Sequence, residues 1–209
     1  MIHRTPFFLP WLYSSLVWRQ SFRDKELYLT FDDGPVPGPT EFVLNTLDQF
    51  DIKATFFCIG ENVSKHPKIF KRILAAGHAV GNHTYNHLNG WKSKTNQYLD
   101  NIELCKNEIL KFGSQPVGNL FRPPYGRITR KQIIALKDYK IVMWDVLSVD
   151  YNRNVKPDSC LSNTIKAVRP GSIIVFHDSY KAEKNMCFAL PRLIEHFIRN
   201  GYVFKVIPE

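Results

Sequence analysis

Short apolar runs recur along the chain and alternate with segments of helical periodicity. The runs are rich in β-branched and aromatic residues and are separated by polar turns, a pattern typical of buried strands. Seven strands are predicted in this way, at Leu27–Phe31, Ala54–Ile59, His78–Asn82, Asn119–Arg122, Ile141–Val146, Ser172–Phe176 and Tyr202–Ile207. Because helices alternate with these strands, we expect a mainly parallel sheet.

Four apolar stripes at spacings of three and four predict helices with one buried face. Thr40 and Thr95 are candidate residues to open the first two helices, and Gly201 is a candidate to close the last. The stripes are Val43, Leu44, Leu47 and Phe50; Tyr98, Ile102, Cys105, Ile109 and Phe112; Leu161, Ile165 and Val168; and Leu190, Ile194, Phe197 and Ile198. Seven strands within 209 residues favour an α/β fold, a distorted and incomplete (β/α) barrel in one domain.

The charge balance gives little support to a nucleic-acid partner. The net charge of +9 and the pI near 9.4 could attract an anionic polymer or membrane face. The basic residues are nevertheless scattered singly, and the sequence has no zinc-finger spacing or aromatic RNA-binding signature. It also lacks a Walker A loop and a G-x-G-x-x-G turn. We therefore expect a solvated basic surface and no nucleic-acid binding.

The first 25 residues form a segment that we expect to pack on the domain spanning residues 26–209. Its apolar stretch, Pro6–Trp18, is too short for a transmembrane span, and no small-residue cleavage site follows it. An interfacial anchor and an atypical export signal are the alternatives to packing. Cytoplasmic and envelope-associated locations both stay open.

Ionisable residues follow five of the predicted strands. They are Asp32 and Asp33 after the first, His83 and His87 after the third, Arg122 at the fourth, Asp145 and Asp150 after the fifth, and His177 and Asp178 after the sixth. In a parallel βα architecture these strand ends share one face, where barrel enzymes build their active sites. Turn chemistry alone rarely produces such a pattern, so the sequence favours an enzyme.

The spacing of His83 and His87 suits two ligands of one metal ion, because a helical turn would place both imidazoles on one side. A carboxylate from Asp32 or Asp33 would complete a set that fits zinc or another divalent first-row ion. The other aspartate would then be free to act as a base. His177 is either the acid for a leaving group or a structural histidine, and its position alone favours neither.

The segments TFDDGP, HTYNH, RPPYG, the Asp150–Tyr151 pair and FHD occur in this order. Together they resemble the five motifs of the polysaccharide deacetylases, carbohydrate esterase family 4 with its NodB-homology domain, from about residue 26 to the C-terminus. The resemblance implies a partly closed βα barrel and a metal-dependent hydrolase of carbon–nitrogen, non-peptide bonds. Such an enzyme removes acetyl groups from carbohydrate with one divalent ion, for which zinc is the first choice.

The resemblance also implies roles for individual residues. Asp32 would be the base, held by Arg122, and His177 the acid, oriented by Asp150; Asp33, His83 and His87 would bind the metal; and the backbone N–H of Tyr125 would stabilise the oxyanion. Pro123, Tyr151 and Val175 would contact substrate. The family usually has Trp and Leu where this chain has Tyr151 and Val175, which leaves the shape of the acetyl pocket open. Asp145 is an alternative partner for His177.

Three functions are consistent with these residues. The first is N-deacetylation of N-acetylglucosamine-containing glycans such as peptidoglycan or chitin-like oligomers. The second is O-acetyl ester hydrolysis on acetylated polysaccharide, which would use the same base, acid and metal. The third is a catalytically silent carbohydrate-binding domain. The presence of both Asp32 and His177 argues against it, because a silent relative should tolerate the loss of these residues. We expect an acetylated glycan as the partner and a monomeric protein.

Overall fold

The computed structural model describes residues 3–22, 24–112 and 119–208, in which strands and helices alternate. The strands are β1 Glu26–Asp32, β2 Thr55–Cys58, β3 Ala79–Asn82, β4 Leu120–Phe121, β5 Lys140–Ile141, β6 Val146–Leu147, β7 Ile173–His177 and β8 Val203–Phe204. The helices are α1 Phe8–Leu12, α2 Pro39–Gln49, α3 Gly60–Lys65, α4 Pro67–Ala75, α5 Thr95–Leu110, α6 Arg130–Ala135, α7 Pro157–Ala167 and α8 Glu183–Arg199. Short 3₁₀ turns lie at Gly90–Lys92 and Pro124–Gly126.

The strands form one sheet in the order β5-β4-β3-β2-β1-β7-β6, with β8 beside the start of β1. Every described ladder between these strands is parallel. Helices join successive strands except between β5 and β6, and the sheet curls into an incomplete barrel. The predicted fold class is therefore confirmed. No helix in the described residues has the length and apolar character needed to cross a membrane.

The predicted fifth strand, Ile141–Val146, is divided into two short strands at opposite edges of the sheet. β5 pairs with β4, whereas β6 pairs with β7. The residues between them cross the gap that an incomplete barrel leaves: Val142 N donates to Phe121 O, and Asp145 N donates to Ile173 O. The apolar pattern runs through 141–146 because both halves are buried, although they belong to different ladders.

Part of the chain before β1 occupies this gap. Val17 N donates to Ile141 O (2.9 Å), and Val17 O accepts from Met143 N (2.7 Å). Arg4 forms an antiparallel bridge with Val146. The backbone that leads from β5 to β6 thus finds hydrogen-bond partners in the N-terminal segment, as buried backbone groups require.

The core is deepest around β1, which has neighbours on both sides. Its residues from Leu27 to Asp32 are all buried, and the ring of Phe31 stacks on Phe56 at 5.1 Å. α2, α5, α7 and α8 coincide with the four predicted stripes. Thr40 is not the N-cap of α2: it lies inside the helix, its hydroxyl donates to Asp178 Oδ2, and the N-cap is Gly38. Thr95 is the first residue of α5 rather than its cap.

Candidate active site

A cavity of about 540 Å³ opens where β1, β3 and β7 end. Its wall is formed by Asp32, Asp33, His83, His87, Tyr125, Arg127, Trp144, Leu147, Tyr151, Val175, His177 and Lys181. Ionisable side chains from three of the five predicted strand ends line it, and Arg122 and Asp150 from two others contact those side chains from behind. The β1–β7 register places Asp32 directly beside His177. The shared face predicted from the sequence is therefore present.

Asp32 is buried and pairs with a fully buried arginine. Arg122 Nη1 donates to Asp32 Oδ1 at 2.7 Å. Burial alone would raise the pKa of Asp32, but the charge and hydrogen bond of Arg122, together with the nearby His83 and His177, outweigh burial and lower it. Asp32 is thus held as a carboxylate at the cavity wall.

The guanidinium of Arg122 is itself held in place by the barrel. It also donates to Thr30 Oγ1 (2.7 Å), Val142 O (3.1 Å) and Met143 O (2.9 Å). It lies over the ring of Phe57 at 4.1 Å. Each of the three guanidinium nitrogens of Arg122 therefore has a hydrogen-bond acceptor. These bonds fix the side chain and direct it towards Asp32.

Asp33, His83 and His87 form the only cluster within the described residues that could hold a metal ion. One ligand atom from each lies within 4.8 Å of the others. Asp33 Oδ1 is 3.3 Å from His87 Nε2 and 3.9 Å from His83 Nε2, close to the ~3.3 Å that separates two ligand atoms of one tetrahedral zinc. Asp33 Oδ1 is buried and makes no hydrogen bond to a described residue, which an ion would remedy.

The imidazole of His83 has the orientation and the protonation state of a metal ligand. Its Nδ1 lies 2.7 Å from Arg122 O, so the ring donates there and turns Nε2 towards Asp33. Burial lowers the pKa of His83 to about 4, and burial also lowers the pKa of His87. Both rings are therefore neutral near pH 7, the state in which histidine binds metals. The three residues fit a divalent ion.

His83 and His87 do not lie on a helix, contrary to the expectation from their spacing. The loop after β3 folds back through two left-handed residues, Thr84 (φ 64°) and His87 (φ 59°). Thr84 Oγ1 accepts from Leu88 N at 2.9 Å and stabilises the bend. The two ring centroids are 5.1 Å apart, so a bent loop brings the imidazoles together as a helical turn would.

His177 is paired with Asp150. The His177 Nδ1–Asp150 Oδ1 distance is 2.8 Å, and His177 N donates to Asp150 Oδ2, also at 2.8 Å. Burial opposes the charged imidazole, but the charge and hydrogen bond of Asp150, together with the charges of Asp33 and Asp32, outweigh burial and raise the pKa of His177 to about 9. Because Nδ1–H is directed at Asp150, Nε2 is the nitrogen free to serve the cavity.

Asp145, the alternative partner for His177, lies elsewhere. Its carboxylate accepts two hydrogen bonds from Arg169, at 2.7 and 3.1 Å, and one from Ser172 Oγ. These bonds occupy the carboxylate, so Asp150 is the residue that orients His177.

Tyr151, Val175 and Tyr125 all line the cavity. The ring of Tyr151 meets that of His177 edge-on at 5.0 Å, and the ring of Tyr125 meets that of His87 at 4.4 Å. Tyr125 has a left-handed backbone (φ 61°). Pro123 is buried and is not among the lining residues, so its assignment to substrate binding stays a prediction.

Sequence reasoning assigned no function to several residues that shape the site. Asp178 is buried and accepts hydrogen bonds from Gly34 N (3.0 Å) and Thr40 Oγ1 (2.6 Å), which ties the end of β7 to the turn after β1. Because Asp178 directly follows His177 in the FHD segment, its position in the sequence could have indicated a role at the site. Trp144, Arg127 and Lys181 line the cavity from loops. Trp144 lies within the predicted strand Ile141–Val146 and Arg127 directly follows the RPPYG segment, whereas nothing in the sequence context of Lys181 distinguishes it from a surface residue.

Comparison with known proteins places this geometry in a family. The model of the family described as "Polysaccharide deacetylase" matches residues 19–144, more than half of the chain. A peptidoglycan-N-acetylglucosamine deacetylase from Bacillus cereus is 36% identical over 190 residues, which cover 90% of this chain and 68% of the relative.

Solved structures show the same fold. The crystal structure of the Bc1960 peptidoglycan N-acetylglucosamine deacetylase has a TM-score of 0.90 and 33% identity, and the match covers 98% of this chain and 95% of that one. BA3943 of Bacillus anthracis, a pseudoenzyme of the same family, has a TM-score of 0.81 and 25% identity over 91% of this chain and 66% of its own. The family model, the sequence relative and the folds agree: this chain belongs to the polysaccharide deacetylase family.

Proposed function

We propose that this protein is a metal-dependent deacetylase that removes N-acetyl groups from N-acetylglucosamine-containing glycans. One observation carries the proposal: an ionised carboxylate, a charged imidazole and a candidate metal cluster face a single cavity. Asp32 and His177 lie side by side in the β1–β7 ladder, and their partners Arg122 and Asp150 hold them in opposite protonation states. A base and an acid therefore coexist at neutral pH.

Asp32 is the base in this proposal. It takes a proton from a water molecule in the cavity as the water oxygen attacks the acetyl carbonyl carbon. Arg122 keeps the Asp32 pKa low, so the carboxylate is available throughout the neutral range. The rigid contacts of Arg122 also position the carboxylate, which reduces the reorganisation needed at the moment of reaction.

Asp33, His83 and His87 would hold the divalent ion, with zinc as the first choice. When bound, the ion polarises the acetyl carbonyl and makes water more acidic. Besides the ion, the backbone N–H of Tyr125 is proposed to stabilise the oxygen on which negative charge develops, by donating a hydrogen bond to it. These roles rest on the fit of the three side chains and on the resemblance of the RPPYG motif.

His177 is the acid. Its Nε2–H protonates the sugar nitrogen as the carbon–nitrogen bond breaks, and the products are acetate and a free amine. The pKa near 9 means that the imidazole carries its proton at pH 7 before the leaving group departs. Asp150 stabilises this imidazolium and holds the ring in the productive orientation.

The substrate class is tested by acetate release from zinc-loaded protein. N-acetylated chitooligosaccharides and peptidoglycan fragments would be compared with O-acetylated oligosaccharides at matched concentrations. We expect kcat/KM on an amide substrate to exceed that on the ester panel after each is corrected for its uncatalysed rate. Faster corrected hydrolysis of esters would instead favour the O-acetyl esterase.

The silent carbohydrate-binding domain is the remaining candidate, and BA3943 shows that the family contains pseudoenzymes. In this chain Asp32, Arg122, His177 and Asp150 are present and paired. A silent domain has no need of a charged acid beside an ionised base, so this pairing favours catalysis. Tight glycan binding with no acetate release from any substrate would favour the silent domain.

A further inference from the structure

Large apolar side chains are exposed together near the start of the described chain. Phe7 is 90% exposed and Trp11 is 80% exposed, the highest values for any large apolar side chain in the described residues. Phe8 and Leu12 beside them are about half exposed, and α1 buries none of its residues. We call Phe7, Phe8, Trp11 and Leu12 the aromatic patch. A grouped apolar surface of this kind marks an interaction site.

The aromatic patch is carried by backbone that is bonded to the barrel on both sides. Before it, Thr5 N donates to Asp145 O, and Thr5 Oγ1 donates to Trp144 O. After it, Leu16 is buried and Val17 joins the backbone between β5 and β6. The patch is therefore presented by an anchored element, and its side chains point outward while the flanking residues pack inward.

Positive charge lies next to the aromatic patch. Phe7 lines a groove together with Arg19, Lys140 and Arg169. Among the described residues that line this groove, Asp145 is the only carboxylate, and it is buried and paired with Arg169. The surface around Phe7 therefore offers apolar and cationic groups together, on a chain of net charge +9. This combination complements an anionic lipid surface.

We propose that the aromatic patch and its basic neighbours bind the surface of an anionic bilayer. The patch would enter the boundary between headgroups and acyl chains, where amphipathic aromatic rings are favoured. Arg19 and Lys140 would contact lipid phosphates. α1 has five residues and a length of about 7.5 Å, so binding is interfacial. The catalytic domain would thereby be held at a membrane surface, whatever its substrate.

The test is co-sedimentation of the whole chain with lipid vesicles. Neutral phosphatidylcholine vesicles would be compared with vesicles that contain about one third phosphatidylglycerol, at low and high salt. We expect binding to the anionic vesicles, weakened by salt, and a blue shift of the tryptophan emission that is lost when Trp11 is replaced. Phe7→Ser combined with Trp11→Ser should lower the partition coefficient at least tenfold, because each side chain loses its transfer into the interface.

Control variants distinguish binding through this surface from non-specific hydrophobic binding and from loss of folding. Ile134→Ser removes an equally exposed apolar side chain on α6 and should leave the partition coefficient unchanged. Arg19→Gln combined with Lys140→Gln should reduce the preference for anionic vesicles. Acetate release from a soluble oligosaccharide and the melting temperature should be the same in wild type and the Phe7/Trp11 variant, because neither side chain touches the catalytic cavity.

Several outcomes would overturn the proposal. They are an absence of wild-type vesicle binding, unchanged binding by the Phe7/Trp11 variant, and equal binding to neutral and anionic vesicles. Self-association that depends on Phe7 and Trp11, without vesicle binding, would identify a second copy of the chain as the partner instead. Since vesicle binding is measured without substrate, failure of the proposed deacetylase activity would leave this result unaffected.

Discussion

The individual residues of the site are understood best as two opposed ion pairs. Arg122 and Asp32 are both buried, whereas His177 and Asp150 share two hydrogen bonds at the cavity wall. In the first pair the arginine keeps an acid ionised; in the second a carboxylate keeps a base protonated. The residue types at the strand ends predicted a base, an acid and a metal site, whereas the role of each residue came from the resemblance to the family. The distances that exclude Asp145 were not predictable, because they depend on how the chain crosses between β5 and β6.

Replacing Arg122 by lysine should destabilise the fold strongly. Lysine cannot reproduce the planar set of bonds to Asp32, Thr30 and two backbone carbonyls, so buried acceptors would lose their donors. We expect the free energy of unfolding to fall by about 3 kcal/mol in urea titrations. The control is Arg169→Lys, at a half-exposed arginine whose partner Asp145 keeps its hydrogen bond from Ser172, and it should cost about 1 kcal/mol or less. Equal costs would contradict the account.

The His177–Asp150 pair predicts the protonation of a single imidazole. NMR titration of metal-free protein should give His177 a pKa of about 9. In Asp150→Asn the largest attraction is lost while burial still lowers the pKa, so the pKa should fall well below 9 even though Asp33 and Asp32 continue to raise it. Since the acid form lies below the pKa, kcat/KM should decline as pH rises through it, and the decline should begin at lower pH in the variant. An unchanged pKa in Asp150→Asn would contradict the pairing.

At the scale of elements, the site depends on how β1 ends against β7. Asp178 accepts from Gly34 N and Thr40 Oγ1, and Asn62 Nδ2 donates to Asp33 O at 2.7 Å. These bonds hold Asp33 in a left-handed conformation (φ 84°) that turns it towards the two histidines. The TFDDGP segment is thus a turn, as its composition suggests, and it is also the element that separates the two aspartates.

Gly34→Ala should disrupt this turn. A Cβ at Gly34 would lie 1.9 Å from Asp178 Oδ2, a buried oxygen that cannot move without breaking its bond to Thr40. We expect a loss of about 3 kcal/mol in unfolding free energy and reduced metal affinity. Gly201→Ala is the matched control: it has open space but a positive φ, so it should cost about 1 kcal/mol. Similar stability of the two variants would show that the turn tolerates displacement.

The elements also show what a sequence pattern can and cannot give. Strand ends, helical stripes and the catalytic face followed from periodicity and alternation, because burial imposes those patterns. The division of residues 141–146 into β5 and β6 could not be predicted in this way, since both halves are buried and their apolar pattern is that of a single strand. The spacing of His83 and His87 suggested a helix, yet Thr84 and His87 adopt left-handed backbone. Lys181 reaches the cavity from a loop, which leaves no periodic signal in the sequence.

At the scale of the whole molecule, the turn after β1 and the loop after β3, which are about 50 residues apart in the sequence, supply the three side chains of one candidate metal cluster. A divalent metal that binds the folded chain alone should stabilise it by mass action, by about 2.7 kcal/mol at a hundredfold excess over Kd. Zinc should raise the melting temperature, and chelator should reverse the effect. In His87→Ala the zinc-induced rise should largely disappear, whereas His196→Ala on α8 should keep it. An equal rise in both variants would place the ion elsewhere.

In the proposed mechanism, Asp32 and His177 act as base and acid on an acetamido group in the metal-loaded cavity. The most direct measurement is kcat for acetate release from an N-acetylated chitooligosaccharide by wild type and Asp32→Asn, at equal measured zinc content and with circular dichroism to verify folding. The account predicts a decrease of about 100-fold or more in Asp32→Asn, in the range for loss of general base catalysis. Comparable kcat values in the two proteins would contradict it.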